Sequence, residues 1–172
     1  KGMSSVFASA LKKEGLNVSV DSGEDFFSRT EIKMIMSFLY VLDNPARDVH
    51  MLSLLLSPLF GFSPDEAADI KLNARKCGLP KNSSLFAAIS AFRENEKCRE
   101  FLDRLSFYRR LSVSLSVGEL VEKIYDDFSL TCVALSMADG EQRKNNLLQF
   151  SLLAHSFSES TKKGLGAFVR RM

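Results

Sequence analysis

The feature that most constrains the fold of this chain is a serine followed three residues later by a glutamate, repeated before apolar helical patterns. The pairs are Ser28 with Glu31, Ser63 with Glu66, and Ser116 with Glu119. In such a capping box, the serine side chain accepts from the glutamate's backbone N–H, and the glutamate side chain accepts from the serine's. Both contacts satisfy donors that a helix start leaves unpaired. The repeated pattern therefore predicts a mainly helical chain.

Apolar residues recur at helical spacing between each start and the next breaker, which gives the approximate extent of every helix. The predicted helices span about 28–42, 48–56, 63–76, 84–93, 95–111, 116–127, 129–136, 140–158 and from 163 onward. In the second of them, Val49, Leu52 and Leu55 are predicted to face inward. We predict an all-α, irregular multi-helix domain, with the 14 phenylalanines mainly in its core.

One short strand precedes this helical pattern. Residues 17–21 read Asn-Val-Ser-Val-Asp, an alternation typical of a strand. A single strand is not stable alone, so its neighbours in a sheet would have to lie outside the chain. We therefore expect the chain to be a piece of a larger protein.

The composition limits the kind of binding that this chain can perform. Lys and Arg number 23 against 21 Asp and Glu, a net charge of +2, so any contact with DNA should be a local patch. The 3 cysteines lack paired spacing, which indicates a reducing, cytoplasmic environment. No apolar run reaches the roughly 18 residues of a membrane helix, so no membrane partner is expected.

No motif of the sequence demands catalysis. The phosphate-binding patterns GxxxxGK[ST] and GxGxxG are missing. His50 and His155 have no Cys or His three or four residues away, so neither predicts a metal site. The carboxylate pairs at 24–25, 65–66 and 126–127 fall at loops or helix ends, where acids cap a helix or are solvated.

One segment is a candidate binding site. Residues 55–67 place a tight glycine turn directly before a helix start. Such a turn can present backbone N–H groups and the positive end of the helix dipole to a phosphate. The candidate contacts with a DNA backbone are Gly61, Phe62, Ser63, Lys71 and Arg75. The competing interpretation is an ordinary capped helix start that binds nothing.

The sequence also resembles a known family over most of its length. The markers of the first stretch, 11–42, are a glycine-containing turn followed by Phe26, Phe27, Arg29, Glu31 and Ile32. This stretch resembles the segment of UvrD/Rep-like superfamily 1 DNA helicases where domain 2A continues into the inserted domain 2B. The stretches similar to the helicase/nuclease proteins of the AddA-like branch are 41–48, 56–63, Gly140, Gln142, Arg143, Asn146, Leu147 and 164–168.

The resemblance implies a domain organisation. Residues 1–25 would be the tail of domain 2A, with a helix and the short strand, and residues 26–172 would be a helical 2B-like accessory domain. Such a piece would be inactive alone, with no catalytic residue, no metal and no cofactor of its own.

The resemblance also implies a function for the intact parent chain. That chain would bind ATP and Mg²⁺ and act as a DNA helicase, with exonuclease activity, in double-strand-break repair and recombination. The partners of the accessory domain would be duplex DNA, the remaining helicase domains of the same chain and an AddB-like subunit.

Two other interpretations remain open from the residues alone. A stand-alone helical module that binds another protein fits the near-neutral charge and the capped helices equally well. It would pair residues 17–21 within a sheet of its own. A small all-α enzyme would need a polar pocket with a coupled titratable pair, which no spacing in the sequence requires.

Overall fold

Helices make up the regular structure of the chain throughout residues 26–161 and 163–172, which the computed structural model describes. The helices are α1 (Thr30–Asp43), α2 (Asp48–Leu55), α3 (Pro64–Lys76), α4 (Leu85–Ala91), α5 (Glu96–Ser114), α6 (Val117–Asp127), α7 (Leu130–Leu135), α8 (Gly140–Thr161) and α9 (Leu165–Arg171). The predicted all-α fold is confirmed, and every predicted helix from residue 28 onward has a counterpart. The predicted strand at 17–21 lies outside the described residues.

Two of the three predicted capping boxes are present. Ser63 Oγ accepts from Glu66 N at 3.1 Å, and Glu66 Oε2 accepts from Ser63 N at 2.6 Å. Ser116 and Glu119 form the same pair of bonds, at 3.3 and 2.8 Å. These boxes form the starts of α3 and α6. They could be predicted from the sequence because each depends only on residues three positions apart.

The capping box predicted at Ser28 is wrong. Helix α1 begins after Arg29, its N-cap residue, with no side-chain hydrogen bond closing the cap. Glu31 turns into the protein, where its carboxylate accepts from Arg143 Nη1 and Asn146 Nδ2, each at 2.6 Å. A hydrogen bond from a charged guanidinium is stronger than one from a neutral backbone N–H, so the tertiary contact replaces the local one.

Helix α1 lies at the centre of the core, where it packs against α2, α5, α8 and α9. The ring of Phe38 is fully buried and meets Phe60, Tyr108 and Phe128 edge-on, with centroids 5.8, 5.2 and 5.7 Å apart. Burying a ring of this size stabilises a fold by about 1.5–3 kcal/mol. Through Phe60, this aromatic cluster also anchors the loop that follows α2.

The predicted inward face of α2 is only partly correct. Leu55 is buried as predicted, but Val49 is 79% exposed and Leu52 is 40% exposed. Met51 and Leu54 are buried in their place. The apolar residues of this short helix occur on every side of it, so their spacing does not show which side faces the core.

Candidate nucleic-acid interface

The glycine turn, residues 61–63, connects the loop after α2 to the start of α3. Gly61 has φ 61°, in the left-handed region that favours glycine, although a Cβ there would meet no atom within 4 Å. Phe60 and Phe62 on either side of it contact the ring of Phe101, with centroids 4.8 and 6.2 Å away. The turn is therefore held in place by an aromatic ring on each side of its glycine.

The backbone N–H groups of the glycine turn are all used inside the protein. They donate from Gly61 to Ser57 O (2.8 Å), from Phe62 to Leu55 O (3.0 Å) and from Ser63 to Glu66 Oε2 (2.6 Å). The expectation that this turn presents free N–H groups to a phosphate is therefore wrong. The capped helix start needs these donors for its own stability.

Lys97, at the start of α5, covers the glycine turn, and the sequence pattern did not reveal it. Its Nζ donates to Gly61 O at 2.8 Å and to the Glu66 carboxylate at 2.9 and 2.7 Å. The same Nζ lies 4.6 Å from the centroid of the Phe62 ring. Hydrogen bonds from Lys97 and from the Ser63 backbone lower the pKa of Glu66. No short-range signal connects residues more than thirty positions apart.

The two basic candidates on α3 have different surroundings. Lys71 Nζ lies 3.3 Å from Asp48 Oδ2 and donates to Ser83 O at 2.5 Å, so it joins α3 to α2 and to the segment before α4. Arg75 is exposed, and among the described residues it forms no ion pair. It follows Ser63 by 12 positions, which is about 18 Å along a helix. The structure does not bring Arg75 and the glycine turn together.

The start of α3 forms one wall of an open cleft of about 260 Å³. Its lining residues are Phe62, Glu66, Asp69, Ile70, Asn73, Phe92, Asn95, Lys97 and Cys98. Two carboxylates face this space against one lysine, and the lysine is bound to one of them. A phosphate is repelled by such a cleft. The basic residues Lys71, Arg75 and Lys76 lie further along α3.

The carboxylate pair at 126–127 includes a side chain that is held by hydrogen bonds within the protein. Asp127 accepts from the Tyr108 hydroxyl at 2.7 Å and from Lys123 at 2.6 Å. No group of three or more His, Cys, Asp or Glu in the described ranges is placed to hold a metal ion. In the same ranges, no helix is both long and apolar enough to cross a membrane.

A comparison with models of protein families identifies the family of this helical chain. The family model for the UvrD-like helicase C-terminal domain matches residues 1–104, which is more than half of the 172 residues. The chain belongs to the UvrD-like helicase C-terminal domain family. The resemblance to UvrD/Rep-like helicases is thereby confirmed at the level of the family. The assignment of this UvrD-like chain to the end of domain 2A and to domain 2B stays a prediction.

Relatives of this UvrD-like chain extend the match to almost all of its residues. The ATP-dependent helicase/nuclease subunit of Acetivibrio thermocellus is 33% identical over 95% of the chain, and that of Clostridium botulinum is 34% identical over 98%. The protein of the same name from Lactobacillus acidophilus is 29% identical over 91%. The chain spans 13–14% of the length of these relatives.

Proposed function

We propose that the chain is a non-catalytic accessory region of an ATP-dependent DNA helicase of the AddA-like helicase/nuclease type. The observation that carries this proposal is the alignment of almost the whole chain with ATP-dependent helicase/nuclease proteins, of which it spans 13–14%. The sequence has no phosphate-binding loop, so ATP and Mg²⁺ would be held by other domains of a longer helicase. We expect the 172-residue chain alone to show no ATPase or nuclease activity.

The proposal includes the domain organisation that the resemblance implies. Residues 1–25 would end helicase domain 2A, and residues 26–172 would form the inserted domain 2B. In support, Phe26 and Phe27 already pack against the core cluster that continues to Val169. The described part of the proposed 2B region thus shares one hydrophobic core.

We further propose that this region contacts duplex DNA along α3. Gly61, Phe62 and Ser63 at the start of the helix are left out of this contact, because their N–H groups are bonded within the protein and the cleft beside them is negatively charged. Arg75, near the other end, presents an exposed guanidinium without a carboxylate partner in the described residues. Lys71 would attract the DNA by its positive charge rather than by a direct hydrogen bond to a phosphate, since Asp48 and Ser83 already bind its ammonium group.

The test of this proposal is the binding of two labelled duplexes of unrelated sequence by the 172-residue chain at several salt concentrations. Arg75→Ala is expected to weaken both complexes equally, by about 3- to 10-fold, and to reduce the slope of log K against log salt by about 0.9. Arg99→Ala is the matched control, because Arg99 is exposed but lies 3.9 Å from Glu96. Unchanged duplex binding by Arg75→Ala would rule out the α3 contact.

A second candidate function, docking of a partner protein, is favoured by the outer face of α2. Val49, Leu52 and Leu56 lie on this face and are 79%, 40% and 38% exposed. An uncovered apolar helix face is typical of a protein interface. If Val49→Asp abolishes association with an AddB-like subunit or with the other helicase domains, while Arg75→Ala leaves DNA binding unchanged, the docking function is the better one.

A further inference from the structure

The cleft between α3 and α5 differs in charge between its two ends. Glu66, Asp69, Ile70 and Asn73 follow one another at helical spacing, so one face of α3 forms a wall of the cleft. Lys97 closes the end beside Glu66, since its Nζ lies 2.7 Å from Glu66 Oε2. The charge of Glu66 is therefore balanced within the protein, and the other end of the cleft keeps the charge of Asp69.

The carboxylate of Asp69 has no partner in the part of the chain that the structure describes. Its side chain forms no ion pair and no hydrogen bond there, and the same is true of the Asn73 side chain. The two residues are four positions apart and are therefore neighbours on the surface of α3. A carboxylate and an amide are both available to a ligand at this end of the cleft.

The rest of the lining at this end is apolar. Ile70 and Cys98 are 8% and 1% exposed, so they form the floor of the cleft rather than its rim. Phe92, the C-cap residue of α4, is half-buried and packs against the core. A ligand that satisfies both kinds of lining has an apolar stem that ends in a positive charge.

We propose that this end of the cleft binds an arginine side chain of a partner protein. The guanidinium donates to the Asp69 carboxylate and to the side-chain oxygen of Asn73, and the methylene groups lie against Ile70 and Phe92. A guanidinium presents its N–H donors in a flat fork and stacks on aromatic rings, whereas the ammonium of lysine is a compact point charge. This inference goes beyond the accessory function proposed above and does not depend on DNA binding by α3.

Other occupants fit this end of the cleft less well. A phosphate is repelled by the unbalanced carboxylate, and an apolar side chain would bury that carboxylate without a partner. A metal ion lacks ligands, since the described residues hold no group of three His, Cys, Asp or Glu placed for one. The volume of about 260 Å³ is below the roughly 300–1,000 Å³ of small-molecule pockets, which favours a single side chain.

The first arm of the test uses NMR to titrate the isotope-labelled 172-residue chain with the peptide acetyl-Gly-Leu-Arg-Leu-Gly-amide. The backbone signals of Asp69, Asn73 and Phe92 are expected to shift with a dissociation constant on the order of 1 mM, the weak affinity that one side chain in an open cleft allows. The same peptide with citrulline in place of arginine keeps the shape but loses the charge. It should bind about 3- to 10-fold more weakly.

The second arm changes the carboxylate. Asp69→Asn is expected to weaken binding of the arginine peptide about 3- to 10-fold, because the amide keeps the shape of the carboxylate without its charge. Asp65→Asn is the matched control, since Asp65 is an exposed carboxylate one turn earlier on α3 that does not line the cleft. It should change the affinity less than about twofold. Thermal unfolding confirms that both variants are folded.

The proposal is overturned if the arginine peptide causes no saturable shift up to about 10 mM. It is also overturned if the citrulline peptide binds equally well, or if Asp69→Asn binds the arginine peptide as tightly as the unmodified chain does. Spermidine binding more tightly than the peptide, with the same dependence on Asp69, would assign the cleft to free amines instead.

A second copy of the chain is the remaining occupant. A dimer in sedimentation that Asp69→Asn dissociates would assign the cleft to that copy and overturn the proposal, whereas a monomer that binds the peptide supports it. Failure of the proposed DNA contact is distinguishable, because it is measured with Arg75→Ala and duplex DNA and leaves the peptide results unchanged.

Discussion

Glu31 is 4% exposed and is held by two side chains from the far end of the sequence. The bonds from Arg143 and Asn146 are each 2.6 Å long. Both donors are oriented in turn, since Arg143 Nε donates to Ala138 O at 2.9 Å and Asn146 Oδ1 accepts from Gln142 at 3.1 Å. This network fastens the first turn of α1 to the first turns of α8. Because carboxylate and guanidinium are both charged, the Glu31–Arg143 bond is stronger than one between neutral groups.

We predict that Glu31→Gln lowers the free energy of unfolding by about 2–4 kcal/mol. The substitution leaves the Arg143 guanidinium, which is 25% exposed, without its countercharge. Urea denaturation measures the change. Glu96→Gln is the control, because its pair with Arg99 is exposed and its loss should cost below about 0.5 kcal/mol. If both variants are equally stable, the network has no energetic role.

Helices α6 and α8 approach each other closely at Gly118. A Cβ on this residue would lie 2.4–2.7 Å from ring atoms of His155. Gly118 N donates to Ser158 Oγ at 3.3 Å across the same contact. His155 Nε2 lies 2.8 Å from Glu122 Oε1, close enough for an ion pair when the ring is protonated, although the angle is not that of a hydrogen bond. The missing side chain of Gly118 is therefore what lets the imidazole lie between the helices.

Gly118→Ala is expected to destabilise the chain by about 1–3 kcal/mol, since the His155 ring or the helix must move. The same substitution in a His155→Ala background should be neutral or slightly stabilising, because the space is then open and alanine favours a helix. Thermal unfolding of the unmodified chain, the two single variants and the double variant gives the interaction free energy between Gly118 and His155. Equal effects of Gly118→Ala in both backgrounds would contradict the close contact.

The whole molecule is expected to lose stability on the acid side. The His50 ring stacks on Tyr40 with centroids 4.2 Å apart, and burial, followed by the charge of Arg47, lowers the pKa of His50 from its usual 6.5. Hydrogen bonds from Lys97 lower the pKa of Glu66. The unfolded chain therefore binds more protons at both groups. Their contribution is fully present above the unfolded pKa values and is lost as the pH falls through the folded ones.

We predict that Tm falls as the pH is lowered from about 7.5 to 5.5, because His50 gains its proton in that interval in the unfolded chain, whereas its lowered pKa opposes protonation in the folded chain. In His50→Gln this fall should be smaller, whereas the further loss below the usual carboxyl pKa of 4.5 should remain. Circular dichroism at a series of pH values measures both. A Tm that rises on acidification, or an identical slope for the variant, would show that His50 does not titrate as proposed.

Much of the helical framework could be predicted from short-range patterns. Ser63 with Glu66 marks the start of α3, and Gly78, with φ 90°, follows its end as the breaker pattern requires. Such signals are readable because a helix terminus satisfies its donors and acceptors with residues within one turn. The family was recognisable for a similar reason, since its markers are contiguous stretches of sequence.

The candidate site was predictable only in part, because its surroundings come from distant segments. Lys97 closes the glycine turn, and Asp48 binds Lys71, through contacts across more than twenty residues. Phe107 was expected in the core with the other phenylalanines, but it lies on the surface.

The sequence by itself determined which segments become helices, because capping and apolar spacing act within three or four residues. Only the tertiary structure decided which face of α2 is covered, where the carboxylate of Glu31 binds, and which carboxylates of α3 remain unpaired. The physical reason is that burial and ion pairing depend on groups brought together from remote positions, and no local pattern records those neighbours.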